Sequence, residues 1–322
     1  MSMPTLRPAR MTIAGAGMGA LAAFVLVVMV LAIAPLAIYP VFLMQALCVA
    51  LFACAFNLLV GYAGLLSFGH AMFLGSAGYI CAHAVKEWGL DPLTAILAGV
   101  AVAAALGLVT GALAVRRQGI YFAMITVAFS QMIYFYCLQA KFTHGEDGIT
   151  NVSPGKLLGL VSLSNATNMY YFVLAVFVFG FLLIYRTINS PFGEVMKAIR
   201  ENEPRAISLG YRVDQYKLAA FTMSAALAGL AGATKALVTQ NASLTDVSFS
   251  TSGDVVLMTL LGGIGTLSGP VVGAFLIVFM KFYLSGYGQW VTVIQGFIFV
   301  ACVLLFRRGI VGELGRLTKW SL

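Results

Sequence analysis

Few residues of this 322-residue chain could do covalent chemistry, and their spacing argues against it. The histidines are three: His70 in the segment "SFGHA", His83 and His144. None stands in a Ser/His/Asp arrangement or at a metal-ligand spacing, so no catalytic residue and no metal site is expected. The five cysteines, Cys48, Cys54, Cys81, Cys137 and Cys302, all lie in apolar runs and form no CxxC pair. They read as small buried hydrophobes. A phosphate-cradling loop needs GxxxxGK followed by Ser or Thr, but the single Gly-Lys pair, Gly155-Lys156, is followed by Leu157.

What remains is polar chemistry in unusual places. Two Gly-rich stretches share the pattern GxxGxLS, 201 residues apart: Gly61, Gly64 and Ser67 align with Gly262, Gly265 and Ser268. Paired Gly-interrupted segments in two halves of a chain point to a binding site between them. The plainer reading is that these glycines let helices approach closely. Asn57 and His70 flank the first stretch. An ionisable group at membrane depth is a functional candidate, although a hydrogen bond to a neighbouring backbone is the favoured role for His70. Asp254 is expected in a first helical turn, stabilised by the helix dipole, and Lys235 and Lys281 are expected to snorkel outward.

The elements that carry these residues follow from composition. A mean hydropathy of +0.96 and 61% hydrophobic residues place the chain far from soluble domains, where roughly 45 to 50% is usual. The fold class is all-α, a polytopic integral membrane helical bundle of about eight full spans plus two short or re-entrant helices. It forms one transmembrane domain over 1–322, with the bundle at 12–312. The net charge of +8 reflects basic residues at the edges of apolar runs, so it bears on topology and not on nucleic acid. Spans are expected near 12–34, 41–60, 65–85, 93–115, 119–138, 170–186, 217–237 and 289–306. The first follows a basic start and is too long for a signal-peptide core, so it reads as a retained span.

Loop charge sets the orientation. With the N-terminus inside, segments 1–11, 116–118, 186–217 and the tail from Arg307 hold 14 basic and five acidic residues, against five basic and six acidic elsewhere. Both termini are then cytoplasmic by the positive-inside rule. Parity requires the apolar interval 252–284 to cross an even number of times, yet two full spans would need about 40 residues. Two short helices meeting at "GGIGTLSGP" fit, as a re-entrant hairpin or a pair of short spans. Such a break is tolerated only inside protein or beside a watery cavity.

Nine of the 30 charges fall in residues 190–217. A charge at the centre of a span costs roughly 2.5 to 3.5 kcal/mol, so this island lies outside the bilayer as a cytoplasmic loop, 187–216. Ser190 as N-cap and Pro191 at the first position start a helix. Phe192, Val195, Met196 and Ile199 give it an apolar stripe. Pro204 opens a second short helix that Gly210 closes. The stripe, with an exposed face of Arg200, Glu201, Glu203 and Arg205, suits docking into another protein's groove; the plainer reading is a solvated loop whose charges only satisfy the positive-inside rule.

The segment "SPFGEVMKAIRENEPRAISLGYRVDQYKLAAF" resembles the cytoplasmic loop of the permease subunits of branched-chain amino-acid ABC importers, of the LivM type. Further likeness lies in "NLLVGYAGLLSFGHAMFLG", "GIYFAMITVAFSQMI", "SAALAGLAGA", "LLGGIGTLSGPVVGA" and "FRRGIVG", which together run from about residue 40 to 312. The resemblance implies a bacterial inner-membrane subunit that works with a second homologous permease, two cytoplasmic ABC ATPase subunits and a periplasmic binding protein. ATP and Mg would sit on the ATPases, with no cofactor on this chain. The loop carrying Phe192, Met196, Ile199, Arg200, Glu201, Glu203, Arg205 and Gly210 would couple to the ATPases. Asn57, Gly61, Gly64, Ser67, His70, Gly262, Gly265 and Ser268 would border the translocation pathway. The outer loops 139–169 and 238–251 would meet the binding protein, and lipid would surround the bundle. The rival is an ion-coupled secondary transporter of an amino-acid-like, amide-like or urea-like solute, which the scarcity of acids in the spans disfavours.

Overall fold

A computed structural model of the protein describes residues 29–36, 39–157, 161–284, 286, 288, 290–305 and 309–318. Most of the expected first span, 12–34, lies outside the described residues. The helices in chain order are α1 (Pro40–Asn57), α2 (Ala71–Lys86), α3 (Pro92–Ala114), α4 (Ile120–Gln139), α5 (Ala166–Ile188), α6 (Pro191–Glu201), α7 (Glu203–Ser208), α8 (Val213–Thr239), α9 (Phe249–Gly262), α10 (Gly269–Tyr283), α11 (Trp290–Leu305) and α12 (Gly309–Thr318). Five helical stretches are long and apolar enough to cross a membrane among the described residues: Pro40–Tyr62, Pro92–Ala114, Ile120–Gln139, Ala166–Ile188 and Val213–Thr239.

Burial ranks these spans by place in the bundle. In the apolar window of Pro40–Tyr62 83% of residues are buried, against 22% for α4, so α1 is central and α4 presents most of its surface outward. The packing around α8 depends on small side chains, as expected where lipid supplies no hydrophobic drive between helices. A Cβ on Gly232 would stand 1.9 Å from the Leu74 carbonyl oxygen of α2, and one on Gly229 would stand 2.4 Å from Ala103 Cβ of α3. Helices α2 and α3 therefore press directly on this stretch of α8.

One expected span is corrected. Residues 65–85 do not form a continuous helix: α1 ends in a π-helical turn, Leu58–Tyr62, the chain runs non-helically through Gly64–His70, and α2 starts only at Ala71. Gly64 has φ +72°, the left-handed region that breaks a helix and favours glycine. The freed backbone finds partners on other helices. The Phe68 N–H donates to Thr126 Oγ1 of α4 at 3.2 Å, and the Ala71 N–H donates to Ser252 Oγ of α9 at 3.0 Å. Those bonds let a non-helical segment persist among apolar neighbours.

The interval 252–284 is two short helices, α9 and α10, joined by a break at 263–268. At 14 and 15 residues they extend about 21 and 22 Å at 1.5 Å per residue, less than a hydrocarbon core of about 30 Å. The break meets the charged island, as the next subsection describes. At the opposite end, β1 (Ile149–Thr150) pairs antiparallel with β4 (Asn241–Ala242), Ile149 opposite Ala242. The two long loops that charge and parity place on one side thus meet on one side. A second small ribbon joins β2 (Lys156–Leu157) to β3 (Val161–Ser162).

Candidate functional site

Asn57 joins the two Gly-rich stretches. This residue, 3% exposed at the end of α1, donates from Nδ2 to the Thr266 carbonyl at 2.8 Å and accepts the Gly265 N–H on Oδ1 at 3.0 Å. Its amide thereby satisfies one donor and one acceptor of the α9–α10 break. Gly61 must be glycine for the same junction: a Cβ there would lie 2.4 Å from Asn57 Oδ1 and 2.8 Å from the Gly265 nitrogen. The repeat also carries a shared conformation. Its second glycine is left-handed in both copies, Gly64 at φ +72° and Gly265 at +78°. Gly262 serves close packing, because a Cβ would fall 1.9 Å from the Gly269 carbonyl oxygen. Ser268 precedes α10 without a side-chain cap.

Ser67 and His70 are fully buried. His70 Nε2 lies 2.8 Å from Ser224 Oγ, and that hydroxyl donates to the Ala55 carbonyl. A hydroxyl has one proton to give, so it must accept from His70, which fixes the Nε2–H tautomer. The ring packs among Phe52, Phe56, Phe73 and Phe221 at centroid separations of 5.3 to 6.3 Å. This geometry joins α1, α2 and α8 and gives the histidine a task in packing.

The charged island folds as a helix pair. Ser190 caps α6 by accepting the Gly193 N–H at 3.4 Å. Asn202, which no sequence pattern singled out, caps α7 by accepting the Arg205 N–H at 3.1 Å. Helical spacing puts Met196 and Ile199 on the inner side of α6, where they are 1% and 3% exposed. Ile199 forms a small satellite core with Ala206 and Val213, and Phe192 stacks on Tyr216 with ring centroids 5.6 Å apart. The stripe therefore packs within this chain. What it leaves outside is a face of Glu201 and Arg205 with Ile207, Leu209 and Tyr211 exposed beside them. Gly210 turns the chain there with φ +86°.

Two residues of the expected exposed face have partners of their own. Glu203 is half-buried and receives Lys217 Nζ at 2.7 Å, which ties α7 to the start of α8. Arg200 reaches back into the bundle and donates from Nη1 to the Gly61 carbonyl. Its aliphatic stem lies 3.1 Å from where a Gly64 Cβ would be, and its Nη1 lies 3.5 Å from a Gly265 Cβ. One side chain of α6 thus touches both Gly-rich breaks.

At the opposite end the structure corrects three expectations. Asp254 sits in the second turn of α9, not the first, and takes Lys281 on Oδ2 and the Gln295 amide on Oδ1 at 3.0 Å. Lys281 does not snorkel away from the chain because that carboxylate lies within reach. Lys235 likewise turns to Asp246. Both pairs line a cavity of about 450 Å³ between α1, α8, α9 and α10. No sequence pattern could have joined 235 with 246 or 254 with 281 and 295, since only helix packing sets those distances. Among the described residues no group of three or more metal-ligating side chains occurs.

The described residues form a helical membrane bundle with two broken helices joined at one end and an amphipathic helix pair docked on that junction. Residues 38–306 match the family described as the branched-chain amino acid transport system permease component, and the chain belongs to that family. It is 28% identical over 279 residues to the high-affinity branched-chain amino acid transport system permease protein LivM of Salmonella typhimurium, covering 79% of this chain and 65% of the relative. Identity to the same-named protein of Escherichia coli is 27% over 277 residues, with the same coverage. A probable branched-chain amino acid transport permease protein LivH of Methanocaldococcus jannaschii is 28% identical over 156 residues, 44% of this chain and 46% of that protein. The chain thus spans less than two thirds of the length of the LivM relatives. No solved structure matches it.

Proposed function

We propose that the chain is the membrane-spanning permease subunit of an ABC importer for branched-chain amino acids in a bacterial inner membrane. Its partners are a second, similar permease, two cytoplasmic ATPase subunits that hold ATP and Mg, and a periplasmic binding protein. The island end faces the cytosol, and the end bearing the β1–β4 ribbon faces the binding protein. Family membership supports the reading, and one contact carries its mechanism: Arg200 of α6 on the Gly61 carbonyl. A force on the α6–α7 pair passes through that side chain to the first break and through Asn57 to the second. Closure of the ATPases would push on Glu201, Arg205, Ile207 and Leu209 and so move α6 and α7, and the junction would shift with them.

The test is exchange of Glu201 and Arg205 for alanine in the assembled transporter. Uptake in proteoliposomes should fall while insertion of the chain in the membrane is unchanged. Unaltered uptake in the double variant would remove the coupling assignment. Uptake by the purified permease alone, driven by an ion gradient, would favour a secondary transporter.

A further inference from the structure

The C-terminal helix α12 packs against α9 and α10 and starts on the second break. Gly309 meets Gly263 backbone to backbone: a Cβ on Gly309 would stand 2.4 Å from Gly263 Cα, 2.5 Å from the Gly263 nitrogen and 2.9 Å from the Gly262 carbonyl carbon. The atoms met are all backbone, so no flexible side chain can give way. Both glycines have positive φ, +75° at Gly309 and +121° at Gly263, where other residues are strained. Two residues on, Val311 is 6% exposed. The Gly263 N–H closes the last turn of α9 by donating to the Thr259 carbonyl at 2.9 Å, so what holds Gly263 holds the end of that helix. The start of α9 is held by the helix before α12, since Gln295 of α11 donates to Asp254 at 3.0 Å. Helices α11 and α12 thus grip α9 at both ends.

We propose that α12 is a positioning element of transport: Gly309, seated on Gly263, fixes the start of the second break, so that movement arriving through Arg200 displaces the α9–α10 pair instead of bending the break. The proposal rests on the transport reading above and adds a second element, beside the α6–α7 pair, that acts on this junction. Arg200 meets the junction at the Gly61 carbonyl and beside Gly265, and Asn57 holds residues 265 and 266. All of these contacts lie beyond the start of the break. Backbone outside regular structure opens more readily than packed helix, and glycine rotates most freely of all. A push at Gly265 would therefore be absorbed by rotation at Gly263 if that residue had no anchor. Coupling between distant parts of a fold is carried by elements packed without such slack. Gly309 removes the slack at Gly263, and the Gln295 amide keeps the far end of α9 in step.

Gly309→Ala, Val311→Ala and Gly296→Ala would be compared in the complete transporter in proteoliposomes, with leucine uptake and ATP hydrolysis measured on the same samples. A Cβ on Gly296 of α11 meets nothing within 4 Å, so that variant is the control for a glycine lost without a contact. Leucine transported per ATP hydrolysed should fall about tenfold in Gly309→Ala, within the range for one strained backbone position. It should fall roughly threefold in Val311→Ala, which thins the same seat without straining the backbone. The KM for leucine should keep its wild-type value in both. Hydrogen exchange at 259–268 should accelerate by the same factors, and Gly296→Ala should match the wild type throughout. Uptake and ATP hydrolysis that decline in proportion would show that α12 serves folding alone and would overturn the proposal. Wild-type exchange at 259–268 in both α12 variants would do the same. If Gly309→Ala does not assemble, Val311→Ala decides alone. A wild-type ratio of uptake to hydrolysis in the α12 variants would remove the role of α12 and leave the transport reading standing. Absence of ATP-dependent uptake in the wild type would overturn both.

Discussion

Replacing Asn57 by alanine tests whether the two Gly-rich breaks are held together by one side chain. The change deletes the acceptor for the Gly265 N–H and the donor to the Thr266 carbonyl, at 3.0 and 2.8 Å. Leaving a buried polar group unsatisfied costs about 1 to 3 kcal/mol each, so the two groups set a range of about 2 to 6 kcal/mol. Gly265 and Thr266 are only half-buried, and water can re-satisfy part of their need. The expected loss is therefore near the lower limit, about 2 kcal/mol, which is about 30-fold in a local opening equilibrium. Hydrogen exchange of the peptide spanning 262–270, followed by mass spectrometry, reads that opening directly. Exchange should accelerate about 30-fold there and remain unchanged in the β1–β4 ribbon at the far end. Unchanged exchange at 262–270 would show that packing, not the amide, closes the junction, and the route through Asn57 to the second break would fail.

Gly61→Ala should open the same junction by a different cause, since its Cβ would lie 2.4 Å from Asn57 Oδ1; reduced uptake with faster exchange at 262–270 is the expected pair of results, and wild-type exchange would refute the contact. Lys217→Met removes an ammonium that is 5% exposed and leaves Glu203, 21% exposed, without its cation, a loss of about 1 to 2 kcal/mol because water reaches the carboxylate. Limited proteolysis should then cut at 203–212 faster than in the wild type, and equal cutting rates would show that the pair does not hold α7. Ser224→Ala orphans His70 Nε2, at about 1 to 3 kcal/mol, and removes the hydroxyl that donates to the Ala55 carbonyl. A lower melting temperature with leucine affinity retained is expected, and lost affinity at unchanged stability would instead place His70 on the pathway.

The membrane bundle was legible from local sequence because the hydrophobic cost of misplacing a residue in lipid is large and acts residue by residue. Apolar runs located α1, α3, α4, α5 and α8 to within a few residues, and parity required the pair α9 and α10. The island declared itself through Ser190, Pro191 and the stripe at Met196 and Ile199, since capping and helical periodicity are properties of adjacent residues. GxxGxLS marked both breaks, and the left-handed Gly64 and Gly265 carry its shared conformation.

Tertiary structure decided what those marks do. The break at Gly64–His70 read as helix because its residues are apolar, and it persists only because Thr126 and Ser252, on α4 and α9, take its amides. Arg200 looked like a surface charge until the fold set the Gly61 carbonyl beside it. Lys235 and Lys281 had acids close enough to pair with only after α8, α9 and α10 were packed. Propensity and hydropathy are sums over neighbours in sequence, whereas a hydrogen bond or ion pair depends on a separation of a few ångströms between residues as distant as 57 and 266, and only the packed fold sets that separation.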